Sequence, residues 1–307
     1  MCNVFENAES FSKSEIAFGM IQQFSEKSEK ESESGGRNIA NKDLRGVRLI
    51  KGNTLRVMRR CGRIKRLGAG AYGSCSWINV FGADIVVKTF LKGTETNTIH
   101  QELNGLQANQ GPGRQKMYGF CPETGEVVSK YSGISLEKAL KEDLLTPEKA
   151  AYVLLKVIKI TQAVFKRNYC HNDIRPANIC LKHIEREKPD VTLIDFGLAT
   201  SLGEEVYVDL GVERDGEFLW LAPEMKRGGK CSEGSEVYSI AQLATELLKV
   251  WATTDHFRNW LTRCLSNVAG ERPSLSDGVT QVQALLKSMK DRKRKGLMER
   301  PRPRLRC

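Results

Sequence analysis

The spacing of hydrophobic residues changes character once along the chain, near residue 147. From about residue 56, short apolar runs, "LRVMRRCGRIKRLG", "SCSWINVFG" and "DIVVKTFL", alternate with glycine-containing breaks. That pattern predicts a meander of antiparallel strands. A helix-compatible segment follows, "ETNTIHQELNGLQAN" (95–109), then two further short strands in "QKMYGF" and "GEVVSKY", then "SLEKALKEDLL". After Pro147 the period becomes helical. "PEKAAYVLLKVIKITQAVFKRN" (147–168) is preceded by Thr146, a good helix start, and places apolar residues at 151, 154, 155 and 158. Further helices are expected over 235–250, 254–266 and 276–289. The expected fold class is α+β, with a small antiparallel strand-rich lobe followed by a larger helical lobe.

The flanks differ from this body. Residues 1–55, with "SEKSEKESESGG" at 25–36, are Ser- and Glu-rich and are expected to form a disordered leader. Residues 9–24 carry enough apolar side chains for a short docking helix, the competing reading. The folded domain is therefore expected over 56–289, with an N-lobe at 56–131 and a C-lobe at 132–289. The net charge of +11 changes the picture less than it first promises. The segment 290–307 holds nine Lys/Arg and two acids, so +7 of the charge lies there. It is expected to be a basic disordered tail, with "KDRKRK" acting as a nuclear signal, a contact for an anionic partner, or plain solvated chain.

Nine cysteines with no C-x-x-C pair argue for reduced thiols and against a structural metal. The best apolar stretch, "AYVLLKVIKI" (151–160), is short and interrupted by Lys156 and Lys159, so no membrane span is expected. There is no apolar core behind a basic start, and no lipidation box. The expected location is intracellular, cytoplasmic or nuclear.

Candidate chemistry begins at "LGAGAYGSCSWINV" (67–80), where Gly68, Gly70 and Gly73 form G-x-G-x-x-G. Glycines allow backbone N–H groups to approach phosphate closely. A dinucleotide fold would need a helix next, yet "SCSWINVF" is strand-like, so the motif sits in a hairpin. "IVVK" ends in Lys88, an ammonium able to neutralise phosphates if a carboxylate holds it. Glu102 is favoured for that role by Leu103 and Leu106 beside it, and Glu95 is the alternative. "HNDIRPAN" (171–178) reads either as a turn or as a catalytic loop. "VTLIDFGLAT" puts Asp195-Phe196-Gly197 at a strand end, "LWLAPEM" supplies Ala222-Pro223-Glu224, "SEVYSIA" opens a helix at 235, and "GERPS" carries Arg272.

In order and element, these residues resemble the eukaryotic protein kinase superfamily over about 60–289, most nearly its serine/threonine class. The resemblance implies ATP and Mg²⁺ as cofactors and proteins as substrates. By it, Gly68, Gly70 and Gly73, with Tyr72 at the loop tip, cover the phosphates. Lys88 contacts the α- and β-phosphates and pairs with Glu102. Asp173 accepts or orients the substrate hydroxyl proton. Arg175 adds positive charge near the γ-phosphate. Asn178 and Asp195 hold magnesium, and Glu224 bridges to Arg272. "EVVSKYSGISL" (126–136) fits the adenine hinge, with Ser129 guarding the back pocket and Lys130 and Tyr131 in the hinge. His171 is expected to support the loop backbone.

Four departures from the family pattern stand out. Asn172 replaces the Arg that grips a phosphorylated activation segment, so activity is expected without such phosphorylation, although Thr200, Ser201 and Tyr207 offer hydroxyls. Arg175 replaces Lys, keeping the charge but not the geometry. Glu217 replaces a Thr that bonds the catalytic Asp. Only 36 residues separate Glu236 from Arg272, a trimmed helical region that resembles divergent viral kinases, including those of herpesviruses. The alternatives are a pseudokinase that binds nucleotide or acts as a scaffold, a small-molecule kinase of the same fold, and a nucleic-acid binder acting through the tail.

Overall fold

The computed structural model describes residues 44, 46–70, 72–206, 218–248 and 254–295. The chain divides into two compact units, one ending at Ser132 and one formed mainly by the residues after it.

The first unit opens with helix α1 (Gly52–Cys61), followed by strands β1 (Arg63–Gly70), β2 (Gly73–Val80) and β3 (Ala83–Phe90), helix α2 (Thr96–Ala108), and strands β4 (Met117–Cys121) and β5 (Glu126–Lys130). The five strands form one antiparallel sheet in the order β1-β2-β3-β5-β4. Residues 56–61, expected as strand, are helix. Leu55 and Met58 fall on one helical face and are buried with Ile50, Ile78, Val80, Ile85, Val87 and Val128. A short apolar run fits either period, and here burial against the sheet decided.

The expected leader boundary at 55 therefore falls inside α1. Backbone pairing with β4 occurs earlier still: Ile50 N–H donates to Phe120 O (2.8 Å) and Phe120 N–H to Arg48 O (2.9 Å). Two carboxylates fix α1 further. Glu123 accepts from the Gly52 N–H at 2.7 Å, and Glu126 accepts from Arg59, Thr89 and Thr124. Burial raises the Glu126 pKa, but the hydrogen bonds from Arg59 and the two hydroxyls outweigh it and hold the carboxyl below its ordinary range.

The second unit contains β6 (Ile134–Ser135), α3 (Leu136–Lys141), α4 (Pro147–Phe165), β7 (Tyr169–Cys170), a 3₁₀ turn (Pro176–Asn178), β8 (Ile179–Lys182), β9 (Asp190–Leu193), β10 (Thr200–Ser201), α5 (Pro223–Lys226), α6 (Glu233–Leu248), α7 (Asp255–Cys264) and α8 (Leu275–Arg294). Helix α4 starts as expected, with the Thr146 hydroxyl accepting from Lys149 N–H and Pro147 in the first turn. It is buried along Val153, Leu154, Val157, Ile158 and Val164, and packs on α6 and α8. A capping box between Ser274 and Asp277 starts α8, which runs to Arg294, past the expected tail boundary at 289. Among the described residues, no helix is long and apolar enough to cross a membrane, and no group of three or more His, Cys, Asp or Glu is placed to hold a metal.

Candidate active site

In the first unit, β1 and β2 meet at the glycine hairpin, with Gly70 opposite Gly73. A Cβ added at Gly68 or Gly70 would meet nothing within 4 Å, so the bare backbone there faces open space. Gly73 is glycine for a different reason. Its Cβ would lie 2.5 Å from Thr89 O on β3, a clash with backbone. Tyr72, at the tip, is exposed.

Lys88 sits on β3 and Glu102 on α2, and the structure brings them together. Lys88 Nζ donates to Glu102 Oε1 at 2.8 Å and to Oε2 at 2.6 Å. Both side chains are largely buried, at 16% and 4% exposure. Such a pair is held by mutual need, since either charge alone would be stranded. Glu95, the alternative partner, is the N-cap position of α2.

Ser129 lies on β5, buried, accepting from Gln115 Nε2 at 3.1 Å. Tyr131 packs edge-on against Trp77, and its N–H donates to Asp84 O at 3.2 Å. That amide is committed to Asp84, so it is not free for the hinge contact expected of Tyr131.

In the second unit, residues 171–178 form a loop closed on itself, not a simple turn. Asn178 Nδ2 donates to Asp173 O (3.0 Å) and to Asp173 Oδ2 (2.5 Å), while Arg175 Nε reaches the same carboxylate at 3.2–3.3 Å. Arg175 also lies over the Trp220 ring, 4.9 Å from its centroid, a cation–π contact that holds the guanidinium beside Asp173. Asn178 spends its amide nitrogen on Asp173, which leaves its carbonyl oxygen as the side available to a cation. Asp195 is half-buried and has φ of 63°, a left-handed conformation uncommon outside glycine. An amide carbonyl and a carboxylate are the hard oxygen donors that magnesium takes, so the residues fit that ion.

His171 is fully buried. Its Nδ1 accepts from Asp173 N–H at 3.3 Å, so Nε2 carries the proton and donates to Ile194 O at 3.1 Å. The ring packs edge-on to Phe196 at 4.8 Å. Burial pushes its pKa down, so the imidazole is neutral and serves as a strut.

The sequence reading missed two contributors. Trp220 carries no signal of its own beside Ala222-Pro223-Glu224, and Glu236 enters the sequence pattern only as part of a helix and as one end of the short spacing to Arg272. Glu236, on α6, is buried and accepts the N–H of Asn172 (2.9 Å) and of His171 (3.1 Å), one on each oxygen. A carboxylate near the start of a buried amphipathic helix was the signal that could have found it. Burial pushes its carboxyl up to about 7 against the pull of the two N–H groups.

This shift gives a signed prediction. The folded carboxyl keeps its proton to a higher pH than the unfolded one, near 4.5, so its stability contribution is complete below 4.5 and fades as pH rises to about 7. Relative to Glu236→Gln, the parent is expected to lose about 3 kcal/mol of stability across that window. His171 gives a slope of opposite sign in both proteins and cancels in the comparison. Denaturant melts at a series of pH values check this; parallel stability curves would contradict it.

Glu224 (α5), half-buried, and Arg272, whose side chain is fully buried, form a further ion pair, bidentate at 2.6 and 2.8 Å. Tyr207 and Glu217 lie outside the described residues.

Comparison with known proteins gives the same class. The protein kinase domain model matches residues 62–288, and the chain belongs to the protein kinase family. Similar proteins include U-box domain-containing protein 51 of Arabidopsis thaliana, 27% identical over 201 residues (60% of this chain, 25% of that protein). A probable LRR receptor-like serine/threonine-protein kinase of the same plant is 26% identical over 197 residues (60% and 20%). Dual specificity protein kinase shkD of Dictyostelium discoideum is 25% identical over 207 residues (63% and 27%). The chain thus spans about a quarter of the length of these relatives. Family membership implies ATP and Mg²⁺ use in general.

Proposed function

We propose that the chain transfers the γ-phosphate of Mg-ATP to serine and threonine hydroxyls of protein substrates. The observation that carries this reading is the Asp173 carboxylate, held at once by Arg175 and Asn178 in a loop anchored through Glu236. Asp173 orients the attacking hydroxyl and takes its proton. Arg175, fixed by Trp220, places positive charge where charge develops on the transferred group. Lys88, kept in place by Glu102, binds phosphate oxygens, and the bare backbone at Gly68 and Gly70 lets N–H groups approach them. Asn178 and Asp195 would hold magnesium, which neutralises phosphate charge when bound. Incubation with labelled ATP and a mixed protein substrate tests the reading.

Asn172 supports activity without activation-segment phosphorylation. Its φ of 65° suits asparagine better than the family's arginine. Its Nδ2 donates to Leu198 O (2.9 Å) and Thr200 Oγ1 (3.1 Å), tying the segment after Asp195 to the catalytic loop with a neutral side chain. Phosphatase treatment is expected to leave transfer unchanged. Asn172→Ala is expected to lower transfer about tenfold, the worth of one or two such bonds. Loss of activity on dephosphorylation would overturn this.

A further inference from the structure

The first unit carries a basic face that the nucleotide chemistry does not use. Residues 44–83 contain nine Lys and Arg and no Asp or Glu. Arg59 is neutralised by Glu126, but Arg56 and Arg60 on α1 and Arg63, Lys65 and Arg66 on β1 are exposed, with no carboxylate partner among the described residues. Arg56 and Arg60 are one helical turn apart and share a face. Basic residues on an edge strand commonly guard against edge-to-edge pairing, which accounts for the β1 cations alone.

Phe81 is the second, independent observation. It occupies the two-residue turn between β2 and β3, where Val80 faces Ala83. Both turn residues have positive φ, 49° at Phe81 and 83° at Gly82. Asn, Asp or Gly suits the first position of such a turn, and a bulky aromatic there is strained. Phe81 is nevertheless 68% exposed and buries little in return. Strain without burial points to a role outside the fold.

The two features meet at one end of the sheet. Gly62, which ends α1, lies directly over β2: a Cβ there would fall 2.6 Å from Ile78 Cγ2 and 3.0 Å from Asn79 O. Arg63 is paired with Asn79, two residues before Phe81. The last turn of α1, the start of β1 and the turn at Phe81 therefore adjoin, with Ile64 beside them, 51% exposed.

We propose that this face docks an acidic, extended segment of a partner protein, with an apolar side chain of that segment seated on Phe81 and Ile64, which pairs with Ile78 and so shares the face that α1 covers, and its carboxylates on Arg56 and Arg60. Charge complementarity requires an acidic partner, and the exposed aliphatic side chain favours a peptide over stacked bases. The chain's own leader fits less well, since residues 1–43 offset eight acids with five Lys and Arg. Arg63 pairs with Asn79, whereas Lys88 pairs with Cys75 beside the glycine hairpin, so this surface lies toward the other end of the strands from Lys88.

The test uses the full chain and fluorescence anisotropy with a labelled peptide of Glu and Asp interspersed with Leu. A second probe has Ser in place of Leu, and a third is a single-stranded oligonucleotide. The first probe is expected to bind in a salt-sensitive manner. Arg56→Glu with Arg60→Glu is expected to weaken it about tenfold. Phe81→Asn, which relieves the turn, is expected to weaken it about tenfold while the melting temperature holds or rises. The proposal is overturned if the first probe does not bind, if the Ser probe or the oligonucleotide binds as tightly, or if Phe81→Asn lowers stability and leaves binding intact.

Discussion

Asp173→Asn is expected to lower phosphoryl transfer about 10²- to 10⁴-fold, the range that a positioned general base contributes. The substitution keeps the shape of the side chain and an oxygen that can still accept from Asn178 or Arg175, so the loop is expected to stay folded. What disappears is the negative charge that draws the proton of the attacking hydroxyl. ATP affinity and melting temperature are expected to remain near those of the parent, because Asp173 is half-buried and its neighbours keep partners. Single-turnover transfer, ATP titration and a thermal melt on the same preparation separate these effects. A variant that retains transfer within tenfold of the parent would remove Asp173 from the chemistry.

The second large effect concerns stability. Arg272→Ala is expected to cost about 3–5 kcal/mol, as breaking a buried ion pair from one side does. The Arg272 side chain is fully buried and donates to both oxygens of Glu224, to Ser266 O at 2.9 Å and to Gly234 O at 3.0 Å. Its guanidinium also covers the Tyr238 ring. Truncation strands the Glu224 carboxylate and two carbonyls together. A fall in melting temperature on the order of 10 °C should follow. Adding Glu224→Leu should restore part of the loss, since an apolar pair removes the stranded charge. If the double variant melts below the single one, the cost lies elsewhere.

The strands, the long helices and the glycine hairpin were legible because each has a period or a break that only one element fits. Helix α1 was not. Leu55 and Val57 flank Arg56 as in an alternating strand, and only the packing of Leu55 and Met58, three apart, with Ile78 and Val80 settles the matter. The pairing of Lys88 with Glu102 could be anticipated from the packing of Leu103 and Leu106 on the same helix. Glu236 and Trp220 could not be anticipated so readily. Their roles depend on backbone N–H groups and a guanidinium that are distant in sequence, and no spacing rule links them to residues 171–175. The motif residues are legible through their resemblance to a family, whereas the residues that hold them in place emerge from tertiary contacts.

The central claim is tested most directly by transfer of labelled γ-phosphate from Mg-ATP to a mixed protein substrate, followed by phosphoamino-acid analysis. The account predicts label on serine and threonine with the parent chain, lowered at least about 10²-fold with Asp173→Asn. Binding of ATP with no transfer by the parent would contradict it and leave a pseudokinase, a nucleotide-binding or scaffolding member of the same family.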